Sequence, residues 1–184
     1  MRSLGNRGTI LLLAVLATVV VAALAPAAAG ARCRDAGARP GQVSNTRLAA
    51  ATRCLVNVER RHYGLRKLRT SRSLTRAARR HARDMAIYRF FSHTSPWGAS
   101  SLERIASAGY LRGARNWSVG ENIAWGSGWR GSPREIVRSW MQSPGHRSNI
   151  LDRGFRQLGL GVALGSPEGM PSGAFFVNTF GARR

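Results

Sequence analysis

The chain is short of acid and nearly devoid of lysine. Its 184 residues hold eight Asp or Glu and four His against 29 Lys plus Arg, and Lys67 is the single lysine. Cysteine is scarcer still. Cys33 and Cys54 are the only two, too far apart for a close-spaced redox or metal pair and without a nearby His, so the simplest reading in an exported chain is one disulfide. Internal repeats, heptads and long low-complexity tracts are absent, which excludes solenoid and coiled-coil architectures. So are the His-Glu-x-x-His helix of one metalloprotease class and the Gly-x-Ser-x-Gly elbow of serine hydrolases. No specific nucleic-acid motif is present.

Long apolar runs are confined to the start. Arg2 and Arg7 precede an uncharged stretch, Ile10 to Ala25 is almost wholly apolar, and Pro26 opens a small-residue tract with Ala-x-Ala sites ending at Ala29 and Ala31. This pattern predicts a signal peptide over 1–31, cleaved rather than kept as an anchor, so that the product is secreted and extracellular with no stable transmembrane segment. Arg32 directly before Cys33 argues against a lipid-modified cysteine. The remaining 153 residues suit one domain. The expected division is a basic segment over 32–44, tied down by the disulfide, and a folded domain over 45–184.

Without residues 1–31 the chain keeps 27 basic residues against eight acidic ones, a charge of +19. Such a surface attracts anionic lipid, anionic wall polymers and other polyanions in a salt-dependent way. Arginine preference with abundant Ala and Gly is also what a GC-rich genome produces. A solvated basic surface without a dedicated partner therefore stays open beside a polyanion-binding one.

Helical spacing of Leu48, Ala51, Leu55 and Val58 predicts a first helix over Thr46 to Tyr63. A second follows with Ser73 as its cap and a stripe of Leu74, Ala77, Ala78, His81, Ala82, Met85 and Ala86, which turns His81 inward. Shorter helices are expected near Ser101 to Ala108 and from Pro133 to Met141 behind Ser132. Strand character surrounds Ile123. Leu158, Leu160, Val162 and Leu164 alternate with glycine and alanine, a strand whose second face is nearly bare and must meet something closely. Ala174 to Phe180 is apolar on both faces and should be a central strand. The pattern alone gives α+β.

The scarce acids and imidazoles mark a candidate site. His93 closes Phe91-Ser92-His93, Glu121 lies in Gly120-Glu121-Asn122-Ile123-Ala124, and His146 lies in Ser143-Pro144-Gly145-His146-Arg147-Ser148-Asn149-Ile150-Leu151. Together with Asn57-Val58-Glu59-Arg60, Trp140 and Gly159-Leu160-Gly161-Val162, these ordered segments resemble the CAP family (cysteine-rich secretory proteins, antigen 5 and pathogenesis-related proteins) in its bacterial form. The resemblance runs from about Asn45 to Gly181. It implies a three-layer α-β-α sandwich in which helices cover both faces of a small, mainly antiparallel sheet.

It also implies a cleft lined by two His and two Glu, of which His93 and Glu121 match one each. The second Glu falls at Ser143 and the second His falls in Gly173 to Asn178; both are missing, and His146 could enter the cleft from another direction. Cleft candidates are thus His93, Glu121, His146, Ser143 and Asn149, with Trp129 and Arg130 as an aromatic and basic rim. Three readings follow. The first is a binding protein for a lipid or cell-wall polymer without turnover. The second is a metal-dependent hydrolase or protease, with a divalent ion such as zinc on His93, Glu121 and His146. The third is a salt-sensitive polyanion-binding surface. Beside these, Glu121 has a structural role to play as an acceptor for buried backbone amides and His93. Ser143 and His146, at turn spacing with no acid partner, read as the turn that ends a helix rather than as nucleophile and base.

Overall fold

The computed structural model describes residues 33–167 and 170–184; the expected signal peptide at 1–31 lies outside the described residues, as do Arg32, Glu168 and Gly169. Helix α1 spans Asn45–His62 and starts where the Ser44 hydroxyl accepts the Arg47 amide. The predicted stripe Leu48, Ala51, Leu55 and Val58 is its buried face. Helix α2 spans Arg72–Tyr88, and its cap is Ser71, not Ser73. The reason is local. Strand β1, Arg69–Thr70, delivers an extended backbone directly to Ser71, whose hydroxyl accepts the Leu74 amide, so Ser73 already lies within the first turn.

Helix α3, Ser101–Ser107, opens on a reciprocal box in which Ser100 and Glu103 each bond the other's main-chain amide. Strand β2 is Trp117–Gly126, and a single 3-10 turn at Gly128–Gly131 leads into α4, Pro133–Gln142. Helix α5, Pro144–Leu151, follows after Ser143 alone. Ser143 ends α4 as its C-cap, as expected of this segment, but Pro144, Gly145 and His146 do not form a turn and instead start a new helix. Proline at the first helical position, where the missing amide hydrogen costs nothing, is what permits so abrupt a restart.

Strands β3, Gln157–Gly165, and β4, Gly173–Arg183, complete a four-stranded sheet in the order β1-β3-β4-β2. β4 is central and antiparallel to both neighbours, with Gln157 opposite Gly181 and Glu121 opposite Thr179. β1 runs parallel to β3 and pairs only with Gln157 and Leu158. Along β4, Phe176 and Phe180 enter a core with Leu48 and Leu55 of α1, Val137 and Trp140 of α4, and Ile150 of α5. Phe175 and Val177 face the other way, against Ala78, Ala82 and Met85 of α2. Helices thus cover both faces of the sheet, and the expected α-β-α sandwich is what the chain forms.

The bare face of β3 meets α2. A methyl group added at Gly159 would collide with the backbone of Leu74, and one at Gly161 with the backbone of Ala78. Two buried polar side chains stitch the periphery. Asn57 bonds both the amide and the carbonyl of Leu68, acting as a short strand partner, while Arg60 donates to the carbonyls of Ile150 and Asp152 at the end of α5. Cys33 and Cys54 form the disulfide with Cα atoms 5.8 Å apart, and Arg47 clamps Asp35 beside it. The segment after Cys33 is thereby fixed onto α1.

Candidate functional site

The loop that leaves α2 is held at three points. Arg89 takes a left-handed conformation, φ 51°, and turns the chain. His81, fully buried on α2, donates from Nε2 to the carbonyl of Ser92 at 2.9 Å. Arg104 of α3 donates from Nη2 to the carbonyl of His93 at 2.8 Å. The His93 side chain consequently projects from an anchored backbone.

Its partner comes from β2. His93 Nδ1 donates to Glu121 Oε1 at 2.9 Å, and Arg104 Nη2 reaches both oxygens of the same carboxylate at 3.0 Å. The Glu121 side chain is 2% exposed and that of Arg104 6%, whereas that of His93 is 52% exposed. Glu121 therefore sits beneath His93 and fixes its ring, and a buried charge pair stands where backbone amides were the expected donors. Arg104 is a site residue that the sequence does not mark. As one arginine among many on an otherwise ordinary short helix, it carries no local signal that distinguishes it.

The second imidazole reaches the site through two asparagines. Asn122, fully buried next to Glu121, donates to the carbonyl of His146 at 2.9 Å and accepts from Asn149 Nδ2 at 2.9 Å. Asn149 also donates to the carbonyl of Glu121 at 3.3 Å. These bonds bind the start of α5 to β2. His146 Nδ1 is hydrogen-bonded to Ser143 Oγ at 2.9 Å, and the Ser143 side chain makes no capping bond to the backbone. Burial lowers the pKa of His146 below its ordinary value, and its proximity to His93 acts in the same direction.

His93 and His146 line one open cleft of about 550 Å³, walled by Phe91, Trp125, Ser139 and Trp140. Each ring has its Nδ1 occupied inside the protein, by Glu121 or Ser143, so each has Nε2 left for a ligand. Trp140 is core, its indole donating to the carbonyl of Ile123. Trp129 is 56% exposed with the Arg130 guanidinium 5.4 Å from its ring centre. The pair lies beyond Trp125 along the chain and does not line the cleft wall.

The three-ligand metal set that the hydrolase reading requires is not assembled. Both oxygens of Glu121 are taken by Arg104 and His93, which leaves two imidazoles, short of the three protein ligands usual for catalytic zinc. Among the described residues no group of three or more His, Cys, Asp and Glu is placed to hold a metal ion. Nor does any helix among them have the length and apolarity to cross a membrane.

The model of the cysteine-rich secretory protein family (CAP) matches residues 54–180. Among curated proteins, the uncharacterized protein YkwD of Bacillus subtilis is 37% identical over 107 residues, 58% of this chain and 39% of its own length. The uncharacterized membrane protein YlbC of the same organism is 33% identical over 108 residues, 59% of this chain and 29% of its own. The matched part is thus less than half the length of either relative. Among solved structures, an extracellular protein containing an SCP domain from Bacillus anthracis has a TM-score of 0.57 at 24% identity, over 76% of this chain and 44% of that one. An outer surface protein of Borrelia burgdorferi has a TM-score of 0.62 at 18% identity, over 77% of this chain and 97% of that one. Both likenesses show the fold.

Proposed function

The chain belongs to the cysteine-rich secretory protein (CAP) family, and from that premise we propose that it acts outside the cell as a binding module whose ligand is a sugar-bearing cell-wall polymer held in the cleft between His93 and His146. One observation carries the reading: two imidazoles from separate elements line the same cleft, and each is fixed from behind through Nδ1. Rings oriented in this way hold Nε2 ready for a hydroxyl or an anionic group at little further entropic cost. Phe91 and Trp125 supply flat apolar surface of the kind on which sugar rings stack. An open trough suits a polymer that passes across it, and would leave much of a lipid chain's apolar surface in water.

Two structural neighbours, one an extracellular protein and the other an outer surface protein, support the compartment. The test is retention on isolated cell walls. The protein should co-sediment with them saturably, and His93→Ala with His146→Ala together should weaken retention about tenfold or more. Unchanged retention in the double variant would reject the cleft as the site.

A further inference from the structure

A second groove lies away from the imidazole cleft, at the edge of the sheet. β1 covers the outer edge of β3 only as far as Leu158, whose carbonyl accepts the Ser71 amide; there the chain turns away into α2. Strand alternation points the main-chain N–H and C=O groups of Leu160, Val162 and Leu164 to that same outer edge. Among the described residues no main-chain or side-chain group pairs with those of Leu160 and Val162. They form the floor of a groove of about 320 Å³ between α1 and α2. Thr75 Oγ1, buried in the wall, also lacks a partner.

Arg53 stands on the α1 side of this groove, and Arg79 and Arg83 on the α2 side. We propose that the groove binds an extended acidic peptide, which adds a strand to the open edge of β3 alongside Leu160 to Leu164. Three features select that occupant. Unpaired backbone groups at the floor are satisfied by another backbone and left unsatisfied by an acyl chain. A second copy of this chain would bring the same three arginines against one another. Finally, Arg79 and Arg83 are one helical turn apart, about 5–6 Å between Cβ atoms, close to the roughly 6.6 Å between alternate residues of a strand. Acidic side chains at every second position therefore meet successive guanidinium groups. The intervening side chains face Ala49 and Ala50 of α1, where there is room for small apolar groups.

The test uses an end-blocked, fluorescent five-residue peptide of alternating Glu and Val, with the protein held at low salt. Saturable binding is expected, accompanied by slowed hydrogen exchange at the amides of Leu160 and Val162. Arg79→Glu with Arg83→Glu, both exposed positions, should weaken it about tenfold or more. N-methylating the peptide amides, which keeps the charge and removes the hydrogen bonds, should do the same. Equal binding of the N-methylated peptide, or competition by polyphosphate without protection of the two amides, would assign the groove to simple polyanion attraction and overturn strand addition. No saturable binding of the Glu-Val peptide would overturn it as well.

Discussion

His93 and Glu121, 28 positions apart in sequence, are joined by a 2.9 Å hydrogen bond that runs from an exposed imidazole down to a buried carboxylate. Arg104 neutralises that carboxylate and also donates to the carbonyls of Ala99 and His93. Loop, helix α3 and strand β2 thus share one charged knot.

Removing the acid should therefore damage more than the cleft. Glu121→Ala leaves Arg104 buried without its counter-charge, and breaking a buried pair from one side costs about 3–5 kcal/mol. Urea unfolding should show a loss of that size. A loss below about 1 kcal/mol would mean that the pair is well hydrated.

How much of this was legible depends on whether the information is local. Helices α1, α3 and α4, the central strand Ala174 to Phe180 and the close contact on the glycine face of β3 all follow from patterns within a few residues of one another. The sequence points to Ser73 and not Ser71 as the cap because the two-residue β1 carries no periodicity to mark the end of the extended backbone. The helical start at Pro144 was hidden by a Pro-Gly pair that also serves turns. His93, Glu121 and His146 stood out because acids and imidazoles are rare here. Arg104, which completes the knot, is lost among arginines, and Asn122 is conspicuous only once its bonds to His146 and Asn149 are drawn.

Acid should weaken the fold through His81 and His146. Burial depresses the pKa of each below the ordinary 6.5, and His81 Nδ1 has no partner to receive a proton. The unfolded chain then binds more protons than the folded one around and below that pH. Stability is accordingly full above about pH 6.5 and falls as pH drops through it toward the lowered folded values. Urea midpoints compared at about pH 8 and pH 5 should differ in that direction, and His81→Gln should reduce the difference.

The glycine face of β3 offers a packing test. Gly161→Ala would force a methyl group into the backbone of α2 at Ala78, and overpacking of this kind costs about 1–3 kcal/mol or more. Differential scanning calorimetry should show a lower melting temperature. A neutral substitution would mean that α2 can move away from the sheet.

The disulfide closes a loop with a sequence separation of 21, which on the chain-entropy model contributes about 3 kcal/mol. Cys33→Ala with Cys54→Ala should lower stability by about that amount while leaving cleft binding intact, because neither cysteine lines the cleft.

The cleft itself is tested most directly by the imidazole resonances of the four histidines in a nitrogen-15 NMR titration with solubilised cell-wall fragments. His93 and His146 should shift together and saturate at the same ligand concentration, with the exposed His62 unmoved. Uniform small shifts at all exposed histidines, or a response of His93 without His146, would contradict a single ligand held between them.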